Sequence, residues 1–142
     1  MGNEKKLKHL EFIQGIINRM GNNSFLIKGW CITLVVGIFA ITITNDNYLF
    51  LLISIIPTVT FWYLDGFFLK TEKLYRELYK NVAGTEEEKI DFLMNVNKAE
   101  YKKKVGSVLQ VMFSKTLLPF YGMLLIVLGI FISLVYFKIL TI

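Results

Sequence analysis

The chain is poor in the residues that most enzymes and metal sites need. It holds one cysteine, one histidine and two prolines in 142 residues. A lone Cys31 excludes an intrachain disulfide. A lone His9, without a cysteine or histidine cluster, argues against a metal centre. No GxSxG, HExxH, Walker loop or CxxC occurs anywhere in the sequence. Asp65 is the single acid within an apolar run, so no paired-carboxylate site is expected there. These absences argue against an enzyme, and no catalytic residue, metal or cofactor is expected. A cleavable leader is not expected either, because Met1–Asn23 is too polar for an apolar signal region. Position 6 is lysine rather than serine or threonine, so the start misses the myristoylation pattern.

What the chain does have is apolar length. Hydrophobic residues make up 54% of it, and its mean hydropathy is +0.52. They cluster into three runs, Phe25–Thr44, Tyr48–Leu69 and Leu117–Leu140. Each matches the ~20 residues that span ~30 Å of hydrocarbon as a helix. The expected fold is an all-α membrane protein with three transmembrane helices, amphipathic cytoplasmic helices and an oligomeric assembly. Four regions follow: 1–23 as a cytoplasmic amphipathic helix, 24–69 as a transmembrane hairpin, 70–116 as a cytoplasmic helical hairpin, and 117–142 as the third span.

The formal charge is +5, and its placement fixes an orientation. Lys5, Lys6, Lys8 and Arg19 precede the first run, and ten lysines and arginines lie between Lys70 and Lys115. The Asn45–Asn47 turn has none, and only Lys138 marks the end of the third run. By the positive-inside rule the N-terminus and the middle segment are cytoplasmic, and the short turn and C-terminus face the other side.

Leu7, Leu10, Ile13, Ile17 and Met20 recur at helical spacing, which predicts a helix over 5–20. That helix either lies on the membrane surface or packs in an oligomer. Gly21-Asn22-Asn23-Ser24 reads as a break, with Asn23 or Ser24 capping the next helix. No breaker follows Leu69 until Gly84, so the second span is expected to continue into the cytoplasm to about residue 82. Glu72–Arg76 and Lys73–Glu77 would support it as i,i+4 pairs, and Tyr75 and Tyr79 would pack on a neighbour. Thr85 and Glu88 have capping-box spacing, and a helix is predicted from Glu86 to about Phe113. Its stripe is Ile90, Met94, Tyr101, Val105, Val108 and Met112. The stripe needs either the second-span helix or another subunit as partner. Pro119 suits a kink or a fresh helix start. Lys98, Lys102, Lys103 and Lys104 form a basic cluster. It serves as a solvated face, as a lipid-headgroup contact, or as a site for an anionic ligand such as a nucleotide or oligonucleotide.

Polar residues mark the apolar runs. Ser54, Thr58 and Asp65 fall within about 40° at about 100° per residue. Gly122, Gly129, Ser133 and Tyr136 share a second face. Gly29, Thr33, Gly37, Ala40 and Thr44 form a small-residue face suited to close helix approach. Lys28 and Asp65 lie at similar depth from the cytoplasmic side. Three readings stand: Lys28 pairs with Asp65, Lys28 snorkels to the interface, or Asp65 lines a pore around an oligomer axis. Trp30, Trp62 and Tyr63 lie near the same level and suit an aromatic belt.

Residues 10–30, LEFIQGIINRMGNNSFLIKGW, and 61–79, FWYLDGFFLKTEKLYRELY, carry the motifs N-S-F-x-x-K-G-W and W-x-L-D-G-x-F-L. In these motifs the chain resembles a family of small prokaryotic membrane proteins of unassigned biochemistry. More loosely, its layout is similar to membrane effectors of bacterial antiphage systems, the Hailong type among them. That resemblance implies an oligomeric inner-membrane protein that permeabilises the membrane under nucleotide or oligonucleotide control. The competing expectation is a scaffold that recruits a cytoplasmic partner. A small transporter is a weaker alternative, because no internal repeat is present.

Overall fold

The computed structural model describes residues 4–45 and 49–137, and these are all-helical in their regular structure. Six α-helices follow in order: α1 (Glu4–Asn45), α2 (Leu49–Ile53), α3 (Ile55–Ala83), α4 (Ala99–Val105), α5 (Val108–Met112) and α6 (Leu118–Tyr136). A single 3-10 turn at Glu87–Lys89 precedes α4. The turn expected at Asn45–Asn47 and the end of the third run lie largely outside the described residues.

α1 is one uninterrupted helix of 42 residues, about 60 Å long at about 1.5 Å per residue. The break expected at Gly21–Ser24 is absent, and Ser24 lies inside the helix rather than at a cap. The reason is tertiary. α1 lies antiparallel against α3, with Lys6 reaching the carbonyls of Ala83 and Thr85 at one end and Ser24 meeting Asp65 further along. That packing outweighs the weak helix propensity of glycine and asparagine, a deficit of about 1 kcal/mol or less per residue. α2 and α3 form nearly one helix. Pro57 has no N–H to offer Ile53, and the chain is offset at Ser54, whose hydroxyl caps the Leu51 carbonyl at 2.6 Å. Among the described residues, α1 and the combined α2–α3 run are long and apolar enough to cross a membrane, and Leu118–Leu134 of α6 is a further, shorter apolar stretch.

Two apolar clusters hold the helices together. The first gathers Cys31, Val35, Trp62, Leu69, Val111, Met112, Leu117, Tyr121 and Leu128 from α1, α3, α5 and α6. The second lies between the N-terminal part of α1 and the C-terminal part of α3 and contains Ile13, Ile17, Leu74, Leu78, Val82 and Tyr101. Tyr75 and Tyr79 pack against this second cluster. Glu72 pairs with Arg76 at 2.7 Å, but Glu77 turns to Lys80 and Lys104 instead of Lys73.

The helix predicted over residues 86–113 does not form. After the 3-10 turn the chain runs irregularly to Lys98, then makes the short α4 and α5. Asp91 accepts from the Leu93 N–H at 3.0 Å, and Asn95 from the Asn97 N–H at 2.8 Å. Such Asx turns compete directly with the helical ladder. Gly106, at φ 82°, ends α4 in a conformation that favours glycine. The Thr85–Glu88 box is also absent, because the Thr85 hydroxyl donates back to Asn81. The reciprocal box is Ser107 with Gln110, at the start of α5. The predicted stripe still packs inward. Tyr101 and Met112 are buried, and Ile90, Met94, Val105 and Val108 are half-buried against the two clusters. The stripe's partners are α1 and α3 of the same chain, so the 70–116 region is one helix with an irregular strap returning along it.

The continuity of α1 has a signed consequence. A Cβ at Gly21 would sit 3.6 Å from Glu72 Oε2, an ordinary contact. Gly21→Ala is expected to stabilise the protein by about 0.5–1 kcal/mol, read as a higher thermal midpoint in detergent. A hinge at Gly21 would give the opposite sign.

Candidate functional site

Lys28 and Asp65 meet where α1 crosses α3 below the α6 N-terminus. Asp65 is fully buried, while the Lys28 side chain is 23% exposed. Lys28 Nζ lies 2.6 Å from Asp65 Oδ2. Ser24, one turn before Lys28, donates its hydroxyl to Asp65 Oδ1. Tyr121 Oη, from α6, donates to Asp65 Oδ2 at 3.1 Å and also lies 3.3 Å from the Phe61 carbonyl. Lys28 Nζ further reaches Ser24 Oγ at 2.9 Å and the Ser24 carbonyl at 3.3 Å. All three ammonium protons therefore have acceptors. The Phe120 ring lies 6.0 Å from the ammonium, which keeps partial access to solvent.

Aromatic packing fixes the third helix over this pair. Trp62, one turn before Asp65, stacks on Tyr121 with centroids 5.7 Å apart. Its indole N–H donates to the Met112 carbonyl at 3.0 Å, and Phe113 meets it edge-on at 5.2 Å. Gly66 explains the neighbouring position of the L-D-G motif. A Cβ there would fall 2.6 Å from Met112 Cγ, so the absent side chain is what admits α5. Trp62 is thus a core residue, not a member of an interfacial belt, whereas Trp30 and Tyr63 are exposed.

Burying two charges costs several kcal/mol per ion unless geometry and hydrogen bonds compensate. Here the carboxylate has a counter-ion and two hydroxyl donors, all from one chain. The arrangement joins three helices at one buried carboxylate. Its chemistry is electrostatic locking of α1, α3 and α6.

The other sequence candidates are placed separately. Ser54 and Thr58 are buried, but their hydroxyls bond the carbonyls of Leu51 and Ser54 on their own helical run. Ser133 is exposed on α6 and bonds Gly129. These three residues do not converge on Asp65. Lys98 stands at the start of α4, 3.9 Å from Asp91 and over the Tyr101 ring. Lys102 and Lys103 are exposed, and Lys104 bridges to Glu77 at 3.2 Å. The basic cluster is divided between solvent and the α4–α3 contact. Ser24 and Tyr121 were not foreseen as partners of Asp65. Ser24 shares a helical face with Lys28 and was accessible to that reasoning, whereas Tyr121 comes from 56 residues away and carries no local signal.

No family model, no curated protein and no solved structure matches the chain. The site's role therefore rests on its geometry.

Two outcomes test it. Lys28→Met strands a buried carboxylate and is expected to cost about 3–5 kcal/mol. Adding Asp65→Asn is expected to recover part of that loss, as a positive coupling in a double-mutant cycle of unfolding in detergent. Lys80, then Lys104, hold the Glu77 carboxyl below its ordinary range. A lowered folded value means stabilisation that is present above the ordinary carboxylate range and lost as pH falls through the folded value. Hydrogen exchange of α4 should rise in that acid window, and Glu77→Gln should remove the pH dependence.

Proposed function

We propose that the chain is a non-catalytic membrane scaffold. It is inserted by α1, α2–α3 and α6, with its N-terminus and the 70–116 region in the cytoplasm of a bacterial cell. The flanking lysines support this orientation through the positive-inside rule. The observation that carries the scaffold reading is the enclosure of Asp65. The acid that would have lined a water path is fully buried, and its neighbours in the same chain satisfy it. Charge at this depth then serves to fix helix register, the best-attested use of a buried ionic group. The aligned ends of α1 and α3 hold a rigid, lysine-rich cytoplasmic platform above lipid headgroups. Anionic lipids and further copies of the chain are the expected partners.

A second reading, an oligomeric pore, has its own support. Gly29, Thr33, Gly37, Ala40 and Thr44 are all exposed along α1, and nothing approaches a Cβ placed at Gly29 or Gly37. Such a face favours close packing between copies. In a symmetric ring this face, Thr33 included, would form the contact between neighbouring copies. That geometry suits a membrane-permeabilising effector of antiphage defence.

Ion flux into proteoliposomes separates the two. The scaffold reading expects flux equal to empty vesicles at every protein-to-lipid ratio. Flux that Thr33→Leu abolishes would overturn it in favour of the pore.

A further inference from the structure

A groove of about 720 Å³ opens on the cytoplasm-assigned part of α1, away from the Lys28–Asp65 site. Its lining includes Lys5, Lys8, His9, Phe12, Arg19 and Phe92. The volume lies within the ~300–1,000 Å³ of small-molecule sites. Three cations rim it, and its lining includes no carboxylate. Lys5, Lys8 and Arg19 have no ion-pair partner among the described residues, in contrast to Lys28 and Lys104. The floor is apolar and partly aromatic. Phe12 is 62% exposed and Phe92 is 39% exposed, so both rings offer free faces.

Two details mark this groove as built. His9 is only 6% exposed, and its Nε2 is buried with no hydrogen-bond partner. A buried polar atom left unpaired is rare and costly, and it lies in the residue that forms this wall. Phe92 has φ 54°, a left-handed conformation uncommon for a bulky residue. It meets His9 edge-on at 5.5 Å, so the strained residue forms the wall opposite α1.

We propose that this groove binds a soluble organic anion with a flat apolar body, of mononucleotide size. Its ring lies against Phe12 and Phe92, and its anionic group meets Lys5, Lys8 or Arg19. Charge complementarity selects the anion, and the aromatic floor selects a ring-bearing one over inorganic phosphate. The choice of a soluble ligand over a lipid headgroup rests on the membrane placement proposed above. Lys5 and Lys8 lie about 24–30 Å along α1 from Ser24, beyond a headgroup layer of roughly 5–8 Å, whereas Arg19 lies at its edge.

The test is calorimetric titration of the full chain in phosphatidylcholine nanodiscs with AMP and 1-naphthyl phosphate, against adenosine and inorganic phosphate. At least one ring-bearing phosphate is expected to bind saturably, and at least about tenfold tighter than either adenosine or phosphate. Lys8→Glu and Phe12→Ala, both at exposed positions, should each weaken it by about tenfold or more. Lys102→Glu, in the other basic cluster, should leave it unchanged. Absence of saturable binding by both probes at millimolar concentration overturns the proposal, as does binding indifferent to Lys8→Glu and Phe12→Ala. If those variants alter only association with phosphatidylglycerol vesicles, the groove is a lipid contact and the proposal fails. None of these outcomes depends on whether the chain conducts ions.

Discussion

A carboxylate taken out of water must find its counter-charge inside the protein, and in this chain that requirement falls on Lys28. The two residues are 37 positions apart in sequence and 2.6 Å apart in space. To meet, α1 and α3 must run antiparallel in one register. Sliding either helix by a turn would leave Asp65 buried without a cation, at a cost comparable to much of a domain's stability. Ser24 and Tyr121 add hydroxyl donors, and Tyr121 brings α6 into the same arrangement. The stacking of Trp62 on Tyr121, and its bond to the Met112 carbonyl, then seat α5 over Gly66.

The register set at this point has consequences at both ends of the hairpin. Toward the N-terminal end of α1 it aligns Ile13 and Ile17 with Leu74, Leu78 and Val82, and the strap returning from Glu87 closes over them through Tyr101. It also places Phe92 beside His9, which forms the basic groove. In the apolar half it leaves the Gly29–Thr44 small-residue face of α1 outward, available to another copy of the chain. The locked core and the open faces follow from one arrangement of α1 against α3.

Much of this was legible in the sequence, and the failures have physical causes. The apolar runs over Phe25–Thr44 and Tyr48–Leu69 marked two long helices, and Gly84 marked the end of α3 because nothing between Leu69 and Gly84 breaks a helix. Lys28 and Asp65 were legible as a possible pair from equal depth on antiparallel neighbours. The break at Gly21–Ser24 was a local signal overridden by packing along α3. The helix over 86–113 failed for the converse reason. Its apolar spacing was real, but Asp91, Asn95 and Gly106 supply local alternatives that a strap can adopt while still burying Tyr101 and Met112. The role of Tyr121 was not legible, because contacts between distant segments leave no trace in spacing. The groove at His9 was hidden for the same reason, since Phe92 and Met94 reach it across the turn that follows α3.

The central claim is that Lys28 neutralises Asp65 within a single protomer. Solid-state NMR of the chain in lipid bilayers tests it most directly. Lysine carries ¹⁵N at Nζ and aspartate carries ¹³C at Cγ, with labelled chains diluted among unlabelled copies. The account predicts a dipolar contact at hydrogen-bonding distance between Lys28 Nζ and an ionised Asp65 carboxylate, persisting at high dilution. A contact that vanishes on dilution, or an Asp65 carboxyl in rapid exchange with water and remote from Lys28, would contradict it.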